Sequence, residues 1–184
     1  EDFQVVEKTV TSNEEMYAIL STEGHGYDMC VPSEYMVENM MADNLLEKID
    51  VNNIENFKYV ENVAKGRTFD PNSEYSIPYM YGTLGIVYNK TLVSDPVDSW
   101  DILWNEKYSG NIMMYDSVRD SMAVALLKLG YDINTKDEKQ IEEAMDLLIK
   151  QKPLVLAYLT DEIKSSMISG SVALAVDYSG AAVD

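Results

Sequence analysis

SIPYMYGTLGIVYN, residues 76–89, is the stretch on which the reading of this chain turns. From Tyr79 to Tyr88 it is largely apolar and aromatic, the composition of a strand. Pro78 has no N–H to donate and interrupts ladder pairing near its start. Gly82 and Gly85, around Thr83 and Leu84, are weak points in such a strand. Two readings stand. The stretch is one kinked strand within a single sheet, or it is an extended segment that leaves one packed body, bends and enters another. On the second reading the chain is two lobes around a cleft, and this segment is one of its hinges.

The sequence of 184 residues accommodates one domain or two small lobes. Fourteen Lys and Arg against 32 Asp and Glu give a net charge of −18. That balance argues against nucleic acid, whose binding rests on neutralising phosphates, and against an anionic membrane surface. It favours a cationic ligand, which a negative field concentrates. A single cysteine, Cys30, and a single histidine, His25, give no intrachain disulfide and no zinc or Cys–His pattern. Cys30, inside YDMCVPS, reads as a small core residue.

Upstream of the opening stretch, β-branched residues predict a strand over 3–10. Ser12 and Glu15 form a capping box for a helix over 13–20. A turn at 23–26 precedes a buried strand over 27–31, ended by Pro32. Ser33 then caps a helix over 34–42 with Met36, Val37, Met40 and Met41 on one face. This alternation is the kind that builds parallel sheets. Residues 43–74 are polar and irregular, with a turn at FDPNSE, 69–74.

Downstream, Ser99 caps a short helix carrying Trp100 and Trp104, and NIMMY, 111–115, is a strand. Residues 116–129 are helical, with Gly130 as the stop. Thr135 and Glu138 make a capping box for a helix over 138–150, which Pro153 ends. A strand over 154–158, a helix over 161–168, a strand over 172–178 and the start of a helix at SGAAVD complete the chain.

In open α/β sheets, ligands bind beyond the carboxyl ends of strands. That rule selects residues 32–35, 115–120, 160–162 and 177–179, a set rich in carboxylates and tyrosines with Arg119 as its cation. Carboxylates pair with ammonium groups, and tyrosine faces add about 0.5–2 kcal/mol each by cation–π attraction. Each residue also has a plain structural role. Ser117 and Asp120 fit a capping box, Asp161 an N-cap, Tyr35 and Tyr178 half-buried tyrosines, and Asp177 a solvated strand end. No nucleophile elbow, phosphate loop or metal-ligand spacing is present. An acid/base enzyme using Asp116 or Asp120 is therefore second to a binding protein.

YDMCVPSEYMVENM (27–40), FDPNSEYSIPYMYGTLGIVYN (69–89), SWDILWNEKYSGNIMMYDSVRD (99–120) and ALLKLGYDINTKD (125–137) together resemble the extracytoplasmic spermidine/putrescine-binding proteins of bacterial ABC importers. The resemblance runs through essentially the whole chain in unbroken order. It implies a two-lobed α/β fold of the type II periplasmic-binding-protein kind, with central sheets flanked by helices. The expected parts are a first lobe over 1–81, incomplete, and a second over 82–184, entered through 76–89. It tips the opening stretch toward the hinge. It also implies that Ser33 and Tyr35 line a polyamine site, with Tyr81 beside them. Asp120 matches an acidic residue, usually glutamate, that takes a ligand amine. Ser117 stands where some members are acidic, which leaves the chain-length preference open. Tyr178 falls where an aromatic, often tryptophan, packs on the ligand's methylenes. Asp116, Asp161 and Asp177 join them on acidity and strand-end placement alone. Members are longer on both sides, so the expectation is a fragment lacking both ends, with exposed sheet edges that invite dimerisation. The implied function is capture of a polyamine in an interlobe cleft outside the cytoplasm and delivery to an ABC permease. No catalysis, cofactor, metal or nucleic acid enters. The alternative is a same-fold protein for another small cation, such as thiamine or a metal ion.

Overall fold

The computed structural model describes residues 4–183, which divide into two compact units, one running to Tyr81 and the other starting at Gly82. The division falls inside SIPYMYGTLGIVYN. Within that stretch regular strand occupies only β1 (Leu84–Tyr88), while Tyr79, Met80 and Tyr81 ahead of it are 74–80% exposed.

The first unit holds two short helices, α1 (Asn13–Leu20) and α2 (Glu34–Ala42). At the start of α1 the Glu15 N–H donates to Ser12 Oγ at 3.0 Å. The Glu15 carboxylate takes the Thr11 N–H and hydroxyl instead of closing the box on Ser12. Met36, Val37 and Met40 of α2 are buried, and Met41 is half-buried. Three expectations fail here. Residues 4–10 form no strand (Phe3 lies outside the described residues), and neither do 27–31, where Met29 and Val31 are exposed. A strand is held by its ladder, and among the described residues of this unit neither segment has one. Cys30 is consequently only half-buried, although burial still pushes its thiol up. The FDPNSE turn is tightly built. Buried Asp70 accepts from the Glu74, Tyr75 and Ser76 N–H groups and the Ser76 hydroxyl at 2.8–3.1 Å. Burial alone would raise its carboxyl, and these donors outweigh it and hold the group below its ordinary range.

The second unit is a four-stranded sheet with helices on both faces. Its strands are β1, β2 (Ile112–Tyr115), β3 (Val155–Leu159) and β4 (Leu174–Tyr178), in the order β1-β4-β2-β3. β2 runs parallel to β4 and to β3, and β1 runs antiparallel to β4, pairing Leu84 with Tyr178. Alternation along the strands sorts the core. Ile112, Met114, Leu174 and Val176 pack with Leu103, Tyr108 and Val124. Val124 belongs to α3 (Val118–Leu129). Met113 and Ala175 pack on the other face with Ile163, from α5 (Glu162–Ile168). Between them in sequence, α4 (Glu138–Gln151) packs on α3 through Ala144.

Local chemistry explains the ends. Gly130, at φ 77°, closes α3 in the left-handed region, which favours glycine. α4 is capped by Asp137, which accepts the Lys139 N–H at 2.9 Å. The Thr135–Glu138 box is not made. Thr135 sits two residues too early, and its hydroxyl accepts the Asp137 N–H and donates to Gln140. A short α6 (Ser179–Val183) follows β4 directly.

Candidate functional site

Three parallel strands, β2, β3 and β4, end on one side of the sheet at Tyr115, Leu159 and Tyr178. A cavity of about 320 Å³ opens there, lined by Tyr115, Thr160, Asp161, Lys164, Asp177, Tyr178 and Ala181. The pleat of β4 explains how one dipeptide serves it twice. Asp177 falls in register with Ala175, toward α5, and Tyr178 in register with Val176, toward α3. Tyr178 donates its hydroxyl to Asp120 Oδ1 at 2.9 Å. Its ring meets Tyr115 edge to face, with centroids 5.0 Å apart and planes at 81°. That contact is of the geometry worth about 0.5–1.5 kcal/mol beyond its area.

Asp177 is 6% exposed. Burial pushes its carboxyl up. The Tyr178 N–H, donating at 2.7 Å, pulls against that rise, and the Asp161 charge adds to it. Burial likewise raises the Tyr115 hydroxyl, followed by the charges of Asp161, Asp177 and Asp120. Such a focus of negative charge against two rings has the chemistry that suits an organic cation.

Asp120, Asp161, Asp177 and Tyr178 thus come together, and Ser117 stands behind them. Ser117 Oγ accepts the Asp120 N–H at 3.3 Å and caps α3. The reciprocal half of the expected box is absent. The Ser117 N–H goes to the Tyr115 carbonyl, and the Asp120 carboxylate turns to Tyr178. Asp161 makes no side-chain cap on α5. Asp116 is exposed and outside the cavity lining, held through its N–H to the Leu159 carbonyl. The remaining three belong to the first unit. Ser33 is tied to Asn13 by two hydrogen bonds, Tyr35 donates to Glu14, and exposed Tyr81 donates to Glu61. Ser33 precedes α2 without a side-chain cap bond. Sequence reasoning passed over Tyr115, Thr160 and Lys164 as individual residues. The first two are strand-end positions, and Lys164 lies one helical turn from Asp161.

The family model for bacterial extracellular solute-binding protein matches residues 2–184. The spermidine/putrescine-binding periplasmic protein of Escherichia coli (strain K12) is 40% identical over 182 residues, 97% of this chain and 52% of that protein. The chain therefore spans about half the length of the curated relatives it matches. Among solved structures, the spermidine/putrescine ABC transporter substrate-binding protein PotD from Streptococcus pneumoniae is 41% identical with a TM-score of 0.74, covering 97% of this chain and 55% of that one. The TpPotD lipoprotein of Treponema pallidum is 36% identical with a TM-score of 0.84, covering 94% and 55%. Among the described residues no helix is long and apolar enough to cross a membrane.

Proposed function

The chain belongs to the bacterial extracellular solute-binding proteins, and from that premise we propose that it binds a polyamine, spermidine or putrescine, at the carboxyl ends of β2, β3 and β4. The observation that carries this is the Tyr178–Asp120 hydrogen bond beside the cavity of Asp161, Asp177 and Tyr115. Polyamines are protonated at neutral pH. Their ammonium groups pair with the carboxylates while their methylenes lie along tyrosine faces. Asp161, exposed to water, avoids the cost of a buried unpaired charge until the ligand arrives, whereas Asp177 is buried. The net charge of −18 concentrates polycations near the site. The protein works outside the cytoplasm, catalyses no reaction and hands its ligand to an ABC-type permease. These roles are in keeping with the names of its relatives.

A thermal-shift panel of spermidine, putrescine, thiamine, divalent metals and sugars tests the reading. Trp100 and Trp104, the chain's two tryptophans, both lie in the second unit and report on it. Stabilisation by the polyamines alone is expected. Asp120→Asn should weaken polyamine binding by about tenfold or more, since a charged pair loses one partner. Stabilisation by thiamine or a metal but not by polyamines would replace the reading.

A further inference from the structure

We propose that Tyr115 contacts the ligand directly, its hydroxyl oxygen accepting a hydrogen bond from a ligand ammonium group. This rests on the polyamine reading and assigns a residue to it that neither strand-end acidity nor the family resemblance singled out. Tyr115 ends β2, the strand lying between β4 and β3, and its side chain lines the cavity with Asp161 and Asp177. The ring packs on both core clusters and against Tyr178. Phenylalanine would serve that packing equally well. The hydroxyl therefore needs its own account. It is half-buried, and among the described residues it makes no hydrogen bond. Tyr178, its neighbour, commits its own hydroxyl to Asp120. The hydroxyl is not sealed from water, so no described residue of the protein competes for it when a ligand donor enters the cavity. An arriving ammonium supplies the partner. It donates one N–H to the phenol oxygen, while the phenol proton remains available to a carboxylate. The charges of Asp161, Asp177 and Asp120 all act on this hydroxyl, so the position they favour for a cation is beside it.

The test uses the 184-residue chain with isotope-labelled tyrosine rings, followed by NMR through spermidine and putrescine titrations into the millimolar range. Tyr115→Phe identifies the Tyr115 signals by their loss. In the native chain those signals should move together with the ligand-dependent signals of Tyr178. Tyr115→Phe should weaken binding by about tenfold, as loss of a hydrogen bond to a charged group does, and should leave the tryptophan-monitored melting temperature unchanged or higher. A stationary Tyr115 signal beside a moving Tyr178, or equal affinity in Tyr115→Phe, overturns the inference and leaves the polyamine reading standing. A native chain in which no tyrosine signal responds at millimolar polyamine overturns the reading, and the inference with it.

Discussion

Asp177→Asn should stabilise the second unit at neutral pH while weakening its hold on a polyamine. Asp177 is 6% exposed. Its ionised carboxylate receives one strong local donor, the Tyr178 N–H at 2.7 Å. Desolvating a carboxylate costs several kcal/mol in real proteins, and a single charge-assisted hydrogen bond returns about 1.5–3 kcal/mol. The balance leaves the folded, ligand-free unit strained by about 1 kcal/mol, so the uncharged amide should raise its melting temperature by about 4 °C or more for a unit of this size. Asparagine keeps the oxygen that accepts the Tyr178 N–H, so packing is preserved.

The pH dependence fixes the cause. Burial raises the Asp177 carboxyl in the folded chain, with the Asp161 charge adding to the rise. Stability from such a group is complete below its unfolded value, about 3.9 for aspartate, and is lost as pH climbs through the folded value. Native and variant chains should therefore melt together near pH 4 and separate toward pH 7, the native chain lower. The assay is thermal unfolding followed by Trp100 and Trp104 fluorescence at several pH values, with and without spermidine. Ligand at about a hundredfold over its Kd adds about 2.7 kcal/mol to the native chain, so spermidine should reverse the order of the two melting temperatures. A variant no more stable than the native chain at pH 7, or a gap that persists unchanged to pH 4, would refute the claim that Asp177 is held charged against its surroundings.

Three further outcomes are expected. Tyr178→Phe removes the donor to Asp120 and should cost about 1 kcal/mol, seen as about fivefold weaker spermidine binding by calorimetry. Asp70→Ala strips the 69–76 turn of its four hydrogen bonds, a loss of about 2–4 kcal/mol. Amide exchange at Glu74, Tyr75 and Ser76 should accelerate while tryptophan-monitored melting of the second unit stays put. Because Asp70's carboxyl is lowered in the fold, the same protection should fade in the native chain as pH falls through its folded value. Gly130→Ala forces a side chain into φ 77° and should destabilise the second unit by about 1 kcal/mol, lowering its melting temperature.

Helices were legible in this sequence from local signals: the Ser12 cap, the apolar face of 34–42, where Ser33 itself makes no side-chain cap bond, and the Ser117 cap with its Gly130 stop. Each of these signals acts within a few residues, so no distant partner is needed to read it. Strands were legible only where the chain supplies a neighbour. NIMMY pairs with each of the two later strands, one on either side. Residues 4–10 and 27–31 carry the same kind of signal and form nothing regular among the described residues. β-propensity records fitness for a pleated surface, and it cannot report whether that surface is present. The Thr135 cap failed for a different reason, since Asp137 stands at the position where the helix begins and its carboxylate accepts the Lys139 N–H.

The site shows the same divide at closer range. Ser117 and Asp120 satisfy the spacing of a capping box, and a box would consume the Asp120 carboxylate within its own helix. Here only the serine half forms. The Ser117 N–H is already taken by the Tyr115 carbonyl, which leaves Asp120 no reciprocal donor and turns its carboxylate to Tyr178. That carbonyl belongs to the residue whose ring Tyr178 meets edge to face. Tyr115 thus governs the acid through its backbone and the aromatic corner through its side chain. The backbone link is local, but the ring contact and the Asp120–Tyr178 bond depend on β2 and β4 lying side by side and parallel, a fact of topology that no local spacing encodes. What turns the Asp120 carboxylate away from a helix cap in this chain is therefore Tyr178 on the neighbouring strand.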